Sequence, residues 1–202
     1  MSGPASHFLP TALACWLALS FVFLGKAPRP RPVRLAVSLV AAAIALFIPF
    51  KGWTLFQWIA VFEPEFSVTV TAMLFAGLVS RAGGPKLLRS CDWNSAWAFG
   101  AISSLLLFPP TIGLSSVDIY SWGWCKGFVL AVGLLALGLL LKGNRFGVIL
   151  LIDLLVFLLR PEESKNAWDV LIDPLYGTAA VLVVFYRIIS FVRPGKKMPP
   201  RC

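Results

Sequence analysis

An all-α, polytopic transmembrane helix bundle of about seven spans is the fold class this sequence predicts. Three observations carry that expectation. Of 202 residues, 58% are hydrophobic and only 13% are charged, whereas soluble domains are about a quarter charged. Apolar runs recur at close to the ~20 residues that a helix needs to cross a bilayer core. The basic residues fall in alternate connections, as they do when cytoplasmic loops retain positive charge. A net charge of +9 would point to nucleic acid in a soluble chain. Here its placement points to topology, so a lipid bilayer is the expected partner and nucleic acid is not.

The first span covers about 7–25. The residues ahead of it, MSGPASHFLP, hold no Lys or Arg. A secretory signal peptide needs a basic start, so this run is read as a retained span. Next comes KAPRPRPVR, Lys26–Arg34, whose alternating prolines favour an extended linker over a helix. The second span covers about 35–50. Aromatics then recur at Trp53, Phe56, Trp58, Phe62 and Phe66, with Glu63 and Glu65 around Pro64. Aromatic side chains gather at the membrane–water boundary, so Trp53–Phe62 is expected to lie in the interface.

The third span covers about 66–80 and opens with Ser67, Thr69 and Thr71. A polar loop, Arg81–Ser95, leads to the fourth, about 96–114, where Pro109 and Pro110 are expected to end or bend the helix. The loop SSVDIYSWGW carries Asp118, Tyr120, Trp122 and Trp124. The fifth span, about 127–141, and the sixth, about 146–159, are joined by the tight turn KGNR. The seventh covers about 169–192, and a basic tail follows. No internal repeat is visible, and the chain reads as a single membrane domain, 1–202.

With the N-terminus outside and the C-terminus cytoplasmic, fourteen of the eighteen basic residues lie on the cytoplasmic side. The outer segments then hold only Lys51, Lys126, Arg160 and Lys165, and most of the acids. A six-span alternative would put the basic tail on the wrong side.

Asp153 and Asp173 are the first candidates for chemistry. Each sits roughly 8–9 Å inside the predicted outer boundary, counted at about 1.5 Å per helical residue. Antiparallel helices with a short connection are neighbours. An intramembrane acid is a functional-site candidate by default, and a facing pair would share a proton. The structural alternative is that each carboxyl reaches a backbone amide or hydroxyl. Asp173 precedes Pro174, as at a helix start, and Asn166 with Asp169 at the third position suits a cap. A second candidate is an outer-face polar site of Glu63, Glu65, Asp118, Tyr120, Trp122 and Asp169, for which solvated turns and interfacial anchoring are the competing explanation. Arg29, Arg31, Arg34, Lys196 and Lys197 suit anionic lipid headgroups.

Cys15, Cys91, Cys125 and Cys202 are scattered, with no CxxC, so neither a disulfide framework nor a metal site is expected. His7 is the single histidine, so haem held by two histidines is excluded. No cofactor is expected. No GxSxG, P-loop or HExxH is present.

The runs FEPEFSVTVTAMLFAGL, FPPTIGLSSVDIY and NAWDVLIDPLYG resemble the pattern of small multi-pass inner-membrane proteins of proteobacteria. That resemblance implies a bacterial inner membrane and a role in the cell envelope, and it transfers no activity. The expected function is a non-enzymatic accessory or scaffold subunit of an envelope complex, with another membrane protein as partner, in glycan or lipid synthesis or export. One alternative is a small proton- or cation-coupled transporter using Asp153 and Asp173. Another is an outer-face lipid or glycan-lipid enzyme.

Overall fold

A computed structural model describes residues 5–24, 32–62, 66–114, 116–159 and 165–192. The protein is 79% helical, with nine α-helices among the described residues, so the all-α expectation holds. By length and composition, one described helix, over Pro174–Phe191, is long and apolar enough to span a membrane; five shorter apolar helices accompany it. The chain divides into two compact units, Met1–Leu87 and Leu88–Cys202.

In the first unit, α1 (Ala5–Leu24), α2 (Pro32–Leu46) and α4 (Val68–Arg81) pack around Leu17, Leu24 and Leu78. The helix α2 begins inside the predicted linker, because proline is well suited to a first helical position, where its missing N–H has no bond to lose. It also ends before the predicted limit of 50. Lys51 and Gly52 both take positive φ, of 50° and 84°, which is the type I′ geometry that joins two short strands. The strands β1 (Pro49–Phe50) and β2 (Trp53–Thr54) pair there. The interfacial prediction over Trp53–Phe62 therefore resolves into a strand and an eight-residue helix, α3 (Leu55–Phe62). Ser67 caps α4 by accepting from the Val70 N–H at 3.2 Å. The Thr71 hydroxyl donates to the Ser67 carbonyl within the same turn.

The second unit is built from α5 (Ser90–Thr111), α6 (Lys126–Leu141), α7 (Phe146–Leu159), the single turn α8 (Trp168–Leu171) and α9 (Pro174–Val192). Helix α5 starts six residues before the predicted fourth span. The prolines at 109 and 110 occupy its last turn, as expected of a terminating pair. Helices α4, α5 and α6 all end in the same way. The second residue past the helix is a glycine at positive φ (Gly83, Gly113 and Gly143). In each, the next N–H returns to a carbonyl in the last turn, as from Asn144 to Leu139 at 2.8 Å. Only glycine takes that left-handed position without steric cost.

Helices α5 and α9 run antiparallel in close contact. A methyl group on Gly100 would come within 2.8 Å of Ala180 and Tyr176, and one on Gly177 would collide with Ser104. Small residues let two backbones approach this closely. Helix α7 packs on α6 through Gly147, where a methyl group would strike the Ala136 carbonyl.

Candidate functional site

The predicted seventh helix is broken at Ile172–Asp173, and the break defines the site. Asp173 caps α9: its Oδ1 accepts the Tyr176 N–H at 2.7 Å, and its carbonyl accepts the Gly177 N–H at 2.9 Å. With Pro174 at the first helical position, this is a complete helix start. Tyr176 is the residue missed in the sequence. It is 2% exposed and donates its hydroxyl to the Ala96 carbonyl of α5 at 2.6 Å. Trp97 packs beside it, with ring centres 6.2 Å apart. Asp153 on α7 is fully buried. Of the two predicted acids, Asp173 thus serves the helix start that carries Tyr176, and Asp153 is enclosed within α7. The signal for Tyr176 lay three residues beyond an Asp-Pro start, on the α9 face that Gly177 and Ala180 continue.

The aromatic end of this unit is joined by hydrogen bonds between the 3-10 turn Tyr120–Trp124 and the segment Asn166–Asp169. The Tyr120 hydroxyl donates to Asp169 Oδ1 at 2.9 Å. Asn166 Nδ2 donates to the Tyr120 carbonyl at 2.9 Å, and Trp168 Nε1 to that of Ile119 at 3.2 Å. Asn166 Oδ1 accepts the Trp168 N–H at 3.0 Å. Asn166 therefore closes a turn just ahead of α8, whose N-cap position is Ala167 rather than the expected Asn166. Gly123 packs so tightly that a methyl group would strike the Asn166 side chain. Asp118 turns inward on its own loop and accepts the Ser121 N–H. Trp122 and Trp124 remain exposed, at 54% and 58%. Of the predicted outer-face set, Tyr120 and Asp169 are bonded to each other, Asp118 is engaged within its own loop and Trp122 is exposed. Glu63 and Glu65 lie outside the described residues.

At the opposite end, Asp92 holds two helix starts together. Its carboxylate accepts the Arg89 N–H at 2.7 Å and the Arg145 N–H at 2.9 Å. It is fully buried, with the Arg89 guanidinium 3.6 Å away. Arg89 also donates to the Gly143 carbonyl. Asn144 donates to Ser95, and Arg187 near the end of α9 donates to Asn94. The end carrying Arg89, Lys142, Arg145 and Arg187 is thus a single bonded layer.

Cys91 is disulfide-bonded, whereas Cys15 and Cys125 are free thiols. The scattered spacing carried no sign of that bond, since spacing along the chain does not report distance across it. Among the described residues, no group of three His, Cys, Asp or Glu side chains is placed to hold a metal. The candidate lipid-contact residues Arg29, Arg31, Lys196 and Lys197, and the side chain of Arg34, lie outside the described set. Comparison with protein-family models, curated proteins and solved structures finds no match.

Proposed function

We propose that this chain is an integral-membrane scaffold, an accessory subunit whose work is to hold helices and present surfaces to another membrane protein. The observation that carries the proposal is inverted polarity. Outward stripes are apolar, as in Val33, Val37, Val40 and Ile44 of α2 and Leu130, Leu134, Leu137 and Leu141 of α6. Inside lie Ser20, Ser38, Ser104, Asp92, Asp153 and Asp173. A soluble protein rarely exposes apolar surface on this scale. Within a bilayer the arrangement is favourable, because lipid covers the stripes and helix contacts enclose the polar groups. The gathered carboxylates have structural tasks: Asp173 caps α9, Asp92 ties α5 to α7, and Asp169 ties two loops. The basic end of the second unit is then cytoplasmic and its aromatic end lies outside.

The test is to extract membranes with alkaline carbonate, then purify the tagged chain in mild detergent and identify what accompanies it. The expected result is a pelleted protein that copurifies with a second membrane protein in fixed ratio. Release by carbonate would overturn the membrane assignment, and isolation as a lone species would overturn the accessory role.

A carrier role for Asp153 is the second proposal. It rests on the complete burial of that carboxyl within the apolar helix α7. Proton flux into proteoliposomes, lost in Asp153→Asn with accumulation unchanged, would support it; no flux in the unmodified protein would refute it.

A further inference from the structure

The first unit contains a cavity of about 530 Å³ between α1, α2 and α4. Its wall is apolar apart from Thr71, whose hydroxyl is engaged with the Ser67 carbonyl. Trp16 and Leu17 of α1, Leu39 of α2 and Phe75 of α4 form its body. The Trp16 indole N–H, the other polar group near the wall, donates to the Leu39 carbonyl at 2.9 Å. A volume in this range suits one small ligand, but nothing polar inside would orient a polar one. Along α4 the lining runs from Val68 to Ala82, which at ~1.5 Å per residue is about 21 Å. One leaflet of a bilayer core is about 15 Å deep, so the cleft is long enough for a whole hydrocarbon tail.

One end of the cleft carries a cation. Arg81 sits in the same turn as the lining residues Leu78 and Ala82. Its guanidinium lies 4.1 Å above the Phe21 ring, and one N–H reaches the Phe21 carbonyl at 3.4 Å. Among the described residues, no carboxylate forms an ion pair with it. A guanidinium has five donors in a fixed fork, and stacking on Phe21 leaves its edge for an oxyanion. We propose that this cleft binds one acyl chain of an anionic phospholipid, with the headgroup phosphate at Arg81. The assignment rests on the membrane placement proposed above.

The full chain, reconstituted in vesicles, tests it with phospholipids carrying a diazirine in the acyl chain. Phosphatidylglycerol should cross-link peptides containing Trp16 and Phe75, and should do so about fivefold more than phosphatidylcholine, the preference one arginine confers near a headgroup. Ala72→Trp, which fills the cleft, should abolish that labelling. Arg81→Gln should equalise the two lipids while leaving labelling in place, and Arg81→Lys should retain the preference. Because Arg81 lies at the rim, that pair of variants reads the site even if Ala72→Trp does not fold. Labelling spread evenly over the outward stripes of α2 and α6 would overturn the proposal. So would equal labelling by both lipids, or a protein–protein cross-link through the cleft. Release of the chain by carbonate would instead overturn the membrane placement itself. An integral protein with an unlabelled cleft overturns this site alone.

Discussion

The two ends of the second unit solve the same problem with different chemistry. At the basic end one buried carboxylate, Asp92, accepts backbone N–H groups from the starts of both α5 and α7. At the aromatic end the loops are joined by many weaker bonds, from Tyr120, Asn166 and Trp168 to side chains and carbonyls. Helix starts present unsatisfied N–H groups, and an anion meets several of them at once. The other end has loop carbonyls to satisfy, and neutral donors such as an indole or an amide suit those. Asp92 is therefore the principal joint of the basic end, beside the bonds from Arg89, Asn144 and Arg187, whereas the aromatic end shares its bonds among three residues.

Asp92→Ala should sharpen that contrast most. Two helix starts lose their acceptor, and at about 0.5–2 kcal/mol per cap the expected loss is roughly 3 kcal/mol, read by chemical denaturation in detergent. A loss below about 1 kcal/mol would show that the basic end is distributed too. Tyr176→Phe comes next. Removing the hydroxyl leaves the Ala96 carbonyl without this donor in a buried site, an expected cost of about 1–2 kcal/mol. Asp173→Ala should cost about 1 kcal/mol, with Asp173→Asn restoring most of it, because asparagine caps nearly as well as aspartate. If Asn fails to restore stability, the charge rather than the cap is what matters at that position. Tyr120→Phe should cost least, about 0.5 kcal/mol, since the bond to Asp169 is exposed and its neighbours share the task.

A labelling experiment sets the same two ends against each other without altering stability. Under the proposed orientation Cys125, an exposed free thiol, lies at the outer end. An impermeant maleimide should therefore label Cys125 in intact cells. Labelling of Cys125 only after permeabilisation would reverse the orientation drawn from charge.

Much of the helical content was legible because its cause is local. The runs 127–141 and 146–159 became α6 (Lys126–Leu141) and α7 (Phe146–Leu159) almost unchanged, bounded by a Lys-Gly-Asn-Arg turn whose glycine has a readable purpose. The starts of α2 and α5 were placed late, because prolines at 30 and 32 and the polar run before Ser95 looked like loop. Pro32 is tolerated at a first turn, and Asp92 stabilises the start of α5 from within it. The seventh span was placed five residues early for a similar reason, although its helix over Pro174–Phe191 is long and apolar enough to cross a membrane. Apolar content continues across Ile172–Asp173, but the Asp-Pro pair restarts the helix there.

The candidate site was legible in part. Asp153 and Asp173 stood out as acids in apolar runs, and both are buried. Tyr176, with one hydroxyl in an aromatic-rich chain, carried no such contrast. Asp92 looked like a solvated loop acid because its second partner, Arg145, is fifty-three residues away. By itself the sequence determined which segments are helical, where glycine must end them and how charge is divided between connections, since these depend on neighbours within a turn or two. Tertiary structure alone decided which carboxylates cap helices, which tyrosine is buried against α5 and which three helices leave a cleft beside Arg81. Those outcomes depend on close approach between distant segments, as at Gly100 against Tyr176 and Gly147 against Ala136, and packing at that range is not encoded in any local pattern.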